Sequence, residues 1–63
     1  MKEIWMWIAR DRSGILRIYE NEPKVDKRKQ EIISTGAYYD IDSNSFPQIT
    51  FDNSPKKAKI ELL

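Results

Sequence analysis

Residues 4–19 constrain the fold of this chain more than any other stretch. Ile4-Trp5-Met6-Trp7-Ile8-Ala9-Arg10 is an extended apolar run, Asp11-Arg12-Ser13-Gly14 is a turn sequence, and Ile15-Leu16-Arg17-Ile18-Tyr19 answers it. The pattern predicts a β-hairpin built on a type I turn, with Gly14 in a left-handed bulge position. Counting back from that turn puts Arg10 opposite Ile15, Ala9 opposite Leu16 and Trp7 opposite Ile18. Side chains alternate along a strand, so Trp5, Trp7, Ala9, Leu16 and Ile18 share one face, and Met6, Ile8, Arg10, Ile15, Arg17 and Tyr19 share the other. The first set makes the better core. Because the first strand is apolar on both faces, it calls for cover on both, by the core on one side and by a loop, helix or partner on the other.

Beyond the hairpin the chain turns polar from Glu20 to Thr35, and Pro23 ends the second strand because it has no N–H to give a ladder. Val25 to Ile33 fits neither period, so residues 24–33 read as a long loop or one short helix. Alternation returns in Gly36-Ala37-Tyr38-Tyr39-Asp40-Ile41-Asp42, with Tyr39 and Ile41 together. It returns again in Gln48-Ile49-Thr50-Phe51, and in Lys56–Leu63, where Ala58, Ile60 and Leu62 share a face. Ser43-Asn44-Ser45 and Asp52-Asn53-Ser54-Pro55 are turn clusters. The expected fold is all-β, with about five antiparallel strands in one small domain over 1–63, as a partly open SH3-like or OB-like barrel or a strongly twisted sheet. The expected core is Trp5, Trp7, Leu16, Ile18, Tyr39, Ile41, Ile49, Phe51, Ala58, Ile60 and Leu62.

Composition narrows the chemistry. With 63 residues the hydrophobic core is small, and stability is marginal unless packing is good or copies associate. The chain has no cysteine and no histidine, which removes disulfides, thiolate metal sites and the commonest general base. Its net charge of +1 does not call for nucleic acid, membrane or an acidic partner. The apolar run at 4–9 is far too short to span a bilayer. The expected setting is cytoplasmic, because a secreted domain of this size is usually disulfide-bonded.

Trp7-Ile8-Ala9-Arg10-Asp11 with Gly14, and Asp42-Ser43-Asn44-Ser45-Phe46-Pro47 followed by Thr50-Phe51 and Glu61-Leu62, resemble a group of short uncharacterised proteins of gut bacteria and their mobile elements. The resemblance covers about half of the chain. It implies a stand-alone domain of unknown function, in a phage or mobile-element setting, and carries no catalytic residue with it.

No catalytic, cofactor or metal pattern emerges. Asp40-x-Asp42-x-Asn44 opens like a calcium loop, but Ser45 replaces the glycine at the sixth position and Phe51 the glutamate at the twelfth, so an Asx turn is the better reading. Asp40 and Asp42 lie about 6.8 Å apart on one strand face, a spacing that suits a carboxylate pair, yet no deep pocket is expected to desolvate them. The expectation is a non-enzymatic protein-interaction module that pairs with a protein partner or with itself. Its contact surface is drawn from Met6, Ile8, Ile15, Tyr19 and Tyr38. The alternative is weak single-stranded nucleic-acid binding through Lys27, Arg28, Lys29, Lys56, Lys57 and Lys59, which fall in two basic clusters. Glu22, Asp26 and Glu31 dilute the first of these. The lysines near the C-terminus also protect a terminal strand from edge aggregation. No small-molecule substrate is evident.

Overall fold

A computed structural model describes residues 2–62, with side chains described from Glu3 to Lys59. The fold is all-β. Its strands are β1 (Lys2–Arg10), β2 (Leu16–Tyr19), β3 (Lys24–Asp26), β4 (Glu31–Ile33), β5 (Tyr38–Ile41) and β6 (Lys56–Leu62). Four form an antiparallel sheet in the order β5-β2-β1-β6, and β3 and β4 form a separate two-stranded ribbon. The sheet does not close into a barrel. No helix among the described residues is long and apolar enough to cross a membrane.

Two segments differ from the sequence expectation. Residues 24–33 form neither a helix nor a loop. They make a ribbon whose turn is held by Asp26, with its Oδ1 accepting from the amides of Arg28 and Lys29. Gln30 closes that turn at a φ of 56°, a left-handed conformation unusual for a side-chain-bearing residue. Residues 48–51 are not a strand, because their polar groups are satisfied locally. The Thr50 amide donates to Asn53 Oδ1, Asn53 Nδ2 donates to the Gln48 carbonyl, and the Ser54 hydroxyl donates to the Thr50 carbonyl. This knot of turns still delivers Ile49 and Phe51 as buried residues.

The hairpin forms with Gly14 at a φ of 100°, where any side chain would be strained. Its register, however, is one residue from the expected one. The Asp11 amide donates to the Ile15 carbonyl and the Gly14 amide to the Asp11 carbonyl, so the turn closes on the Asp11–Ile15 pair. Arg10 then pairs with Leu16, Ile8 with Ile18 and Trp7 with Tyr19. A slip of one residue sends every β1 side chain to the opposite face. Ile8, Leu16 and Ile49 form the core, with Ile18, Ile41 and Ala58 packed against them. Trp5 is 53 % exposed, and it and Trp7 lie on the other face. Tyr39 has the expected parity but sits on an edge strand at 56 % exposure. The side chains of Ile60 and Leu62 lie outside the described set.

Arg10 binds this architecture together from the core face. Its Nε donates to the Ile49 carbonyl at 2.6 Å, Nη1 to Gly14 and Ser43, and Nη2 to Ser45 and Phe46. The Arg10 amide donates to the buried Ser54 hydroxyl at 2.9 Å. One side chain thus anchors the long β5–β6 connection over the sheet, including Phe46 at a φ of 51°.

Candidate contact face

The register places Tyr38, Tyr19, Trp7 and Lys57 in one row across all four strands of the sheet, on the face opposite the core. A second row pairs Trp5 with Lys59, and a third runs Asp40, Arg17, Ala9. Aromatic and β-branched residues favour strands, which is why three rings from three neighbouring strands can align here.

Cations interleave with the rings. Lys57 Nζ lies 5.0 Å from the centre of the Trp5 ring and 5.8 Å from that of Trp7, and Lys59 Nζ lies 5.8 Å from Trp5. Tyr19 and Tyr38 stack with centroids 5.6 Å apart, and the Arg17 guanidinium lies 5.3 Å from the Tyr38 ring. These distances fall within cation–π range. Carboxylates temper the charge. Arg17 Nε donates to Asp40 at 2.8 Å, which raises the Arg17 pKa further, and Lys59 reaches Glu3 at 3.4 Å.

Exposure divides this face. Ala9 is fully buried and Tyr19 is 3 % exposed, and burial pushes the Tyr19 hydroxyl pKa up. Trp5 and Tyr38 remain about half exposed. The open part of the face is therefore a tryptophan flanked by two lysines, with a tyrosine on the far edge strand.

The residues expected to make contact are divided by this arrangement. Ile8 and Tyr19 are buried and offer no accessible area, Met6 is half-buried on the core face, and Ile15 and Tyr38 are exposed. The expected cationic set divides too. Lys57 and Lys59 join the aromatic face, whereas Lys56 belongs to the core-face row of Ile8 and Ile18. Lys27 donates to the Phe51 and Asp52 carbonyls, tying the ribbon to the loop before β6, and Arg28 and Lys29 sit in the ribbon turn. Sequence reasoning missed Trp5 as an exposed residue and the half-buried Trp7 as lying opposite the core, and the signal lay in the closing pair of the hairpin turn.

An apolar cleft of about 320 Å³ lies on the core side, lined by Ile8, Phe46, Ile49, Lys56 and Ala58 among others. Asp42 Oδ1 accepts from the Asn44 amide, so the calcium-like segment is an Asx turn. Among the described residues no three potential metal ligands cluster. Comparison with family models, with curated proteins and with solved structures finds no match for this chain.

Proposed function

We propose that the chain is a small non-enzymatic protein-interaction module that works through the open part of its aromatic face, in a cytoplasmic and phage or mobile-element setting. The observation behind this reading is Trp5, more than half exposed on the sheet between Lys57 and Lys59. Tryptophan and tyrosine give rigid amphipathic area at little entropic cost, and such residues dominate interface energetics. A partner suited to this face offers an apolar or aromatic centre with carboxylates beside it, because lysine ammonium groups frame the ring.

Selection of binders from a random peptide library, followed by titration against wild type and Trp5→Ser, tests the reading. Selected peptides should lose about thirtyfold in affinity on Trp5→Ser, the equivalent of roughly 2 kcal/mol for a hot spot. Peptides that bind both proteins equally well would place the contact surface elsewhere.

The second reading is single-stranded nucleic-acid binding at the same place. It is favoured by one feature, an exposed ring beside two lysines on an open sheet, which is the arrangement that base stacking uses. Glu3 and Asp40 on the same face weigh against it. Oligonucleotide affinity that falls steeply with salt and vanishes in Trp5→Ser would support this second reading. Binding indifferent to Trp5 would be loose charge attraction.

A further inference from the structure

The outer edge of β6 is a seven-residue strand whose inner side pairs with β1 along its whole length. β6 is an edge strand of the sheet, and among the described residues no further strand pairs with it. The opposite edge, β5, has only four residues. An unpaired strand edge is a template for another strand, and proteins normally blunt it. Lys57 and Lys59 look like such a guard, but their effect depends on register.

We infer that β6 pairs antiparallel with β6 of a second copy of this chain, about a two-fold axis at residue 60. The axis stands normal to the sheet, so paired residues share a face and their numbers add to a constant. An axis at residue 58 would set Lys57 against Lys59 twice. An axis at residue 59 would set Lys59 against itself between two Lys57–Glu61 pairs, and one at residue 61 would set Glu61 against itself. Of these, only the axis at residue 60 sets unlike charges opposite with no like pair, Lys59 facing Glu61 on both sides, residue 60 opposite itself and Ala58 opposite Leu62. Opposite charges directly across a ladder stabilise it, and like charges destabilise it. The lysines therefore select one register and penalise its neighbours.

The consequence is one continuous sheet in the order β5-β2-β1-β6-β6-β1-β2-β5, extending the single-copy order. Each face continues across the axis, so the two aromatic faces lie on the same side. The row of Trp5 and Lys59 in one copy then runs into positions 61 and 3 of the other, both glutamate.

Single-cysteine scanning reads the register directly, because the chain has no cysteine of its own. Residues directly opposite in an antiparallel ladder have Cα atoms about 4.5–5.5 Å apart, within disulfide reach. Ile60→Cys should cross-link into a covalent dimer under mild oxidation, well ahead of Ala58→Cys and Lys59→Cys. Equal or faster cross-linking at 58 or 59, or none at 60, overturns the inference. Sedimentation equilibrium gives a second test that needs no cysteine. Wild type should approach twice the 7.5 kDa chain mass with rising concentration. Lys59→Glu should remain at the single-chain mass, and Lys59→Glu/Glu61→Lys should recover the dimer. A wild type that stays monomeric into the millimolar range, or a Lys59→Glu variant that dimerises as well as wild type, overturns it. None of these outcomes depends on whether Trp5 binds a partner.

Discussion

Arg10 directs its guanidinium at five main-chain carbonyls and, among the described residues, at no carboxylate. Those carbonyls belong to Gly14, Ser43, Ser45, Phe46 and Ile49, so a single planar group holds the hairpin turn and the long connection in one arrangement. Lysine has three donors from one point and no fork, and it cannot reach all five. Charged hydrogen bonds contribute about 1.5–3 kcal/mol each, and losing even two leaves part-buried carbonyls unpartnered. Arg10→Lys should therefore cost about 3 kcal/mol, roughly 10–20 °C in melting temperature for a domain this small. A melting point within 2 or 3 degrees of the parent would show that the loop holds without the fork. The sequence offered one signal for this role, a charged residue ending an otherwise apolar strand beside a turn. Nothing in the one-dimensional pattern names its acceptors, because they lie more than thirty residues away for all but Gly14.

At the scale of elements, four of the five expected strands form the sheet, and the parity read for β2, β5 and β6 agrees with the register. Only β1 has its two faces exchanged relative to the expectation. Its two faces, Ile4-Met6-Ile8 and Trp5-Trp7-Ala9, are both apolar, so alternation carries no preference and the facing set depends on the count around the turn. Asp11 decides that count. Its Oδ1 accepts from the Ser13 amide, the Ser13 hydroxyl and the Ile15 amide, and its carboxylate lies 3.6 Å from Arg17. Partial burial pushes the Asp11 pKa up, but the Ser13 hydroxyl, the two amides and the Arg17 charge outweigh it, and the net shift is downward. A carboxylate with a lowered folded-state pKa stabilises the fold above the ordinary carboxylate range, and that contribution is lost as pH falls through the folded value. Asp11→Asn should therefore be about 1 kcal/mol less stable than wild type at pH 7, with the gap closing by pH 2. Urea midpoints at the two pH values measure this, and a gap that is constant with pH would mean that the charge plays no part.

The whole molecule is flat, 40 × 25 × 17 Å, as expected of one sheet with its connections folded against it. Such a shape buries little, and residue size alone misleads about which side is inside. The two tryptophans are the largest side chains in the chain, and hydrophobic ranking would place them in the core. The structure gives the centre to Ile8, Leu16 and Ile49 instead and turns Trp5 outward. Truncation energies should follow burial, not size. Ile8→Ala removes packing from a buried position in a small core and should cost about 2–4 kcal/mol, enough to unfold much of a marginally stable domain. Trp5→Ser removes a half-exposed ring and its contacts with Lys57 and Lys59, worth about 0.5–1 kcal/mol at the surface. Denaturation followed by circular dichroism avoids relying on the tryptophan signal that the second variant alters. If Trp5→Ser unfolds the chain while Ile8→Ala melts with the parent, the faces of β1 are reversed and the aromatic row is the true interior. The opposite order fixes the core on the Ile8 side and leaves Trp5 free to engage a partner.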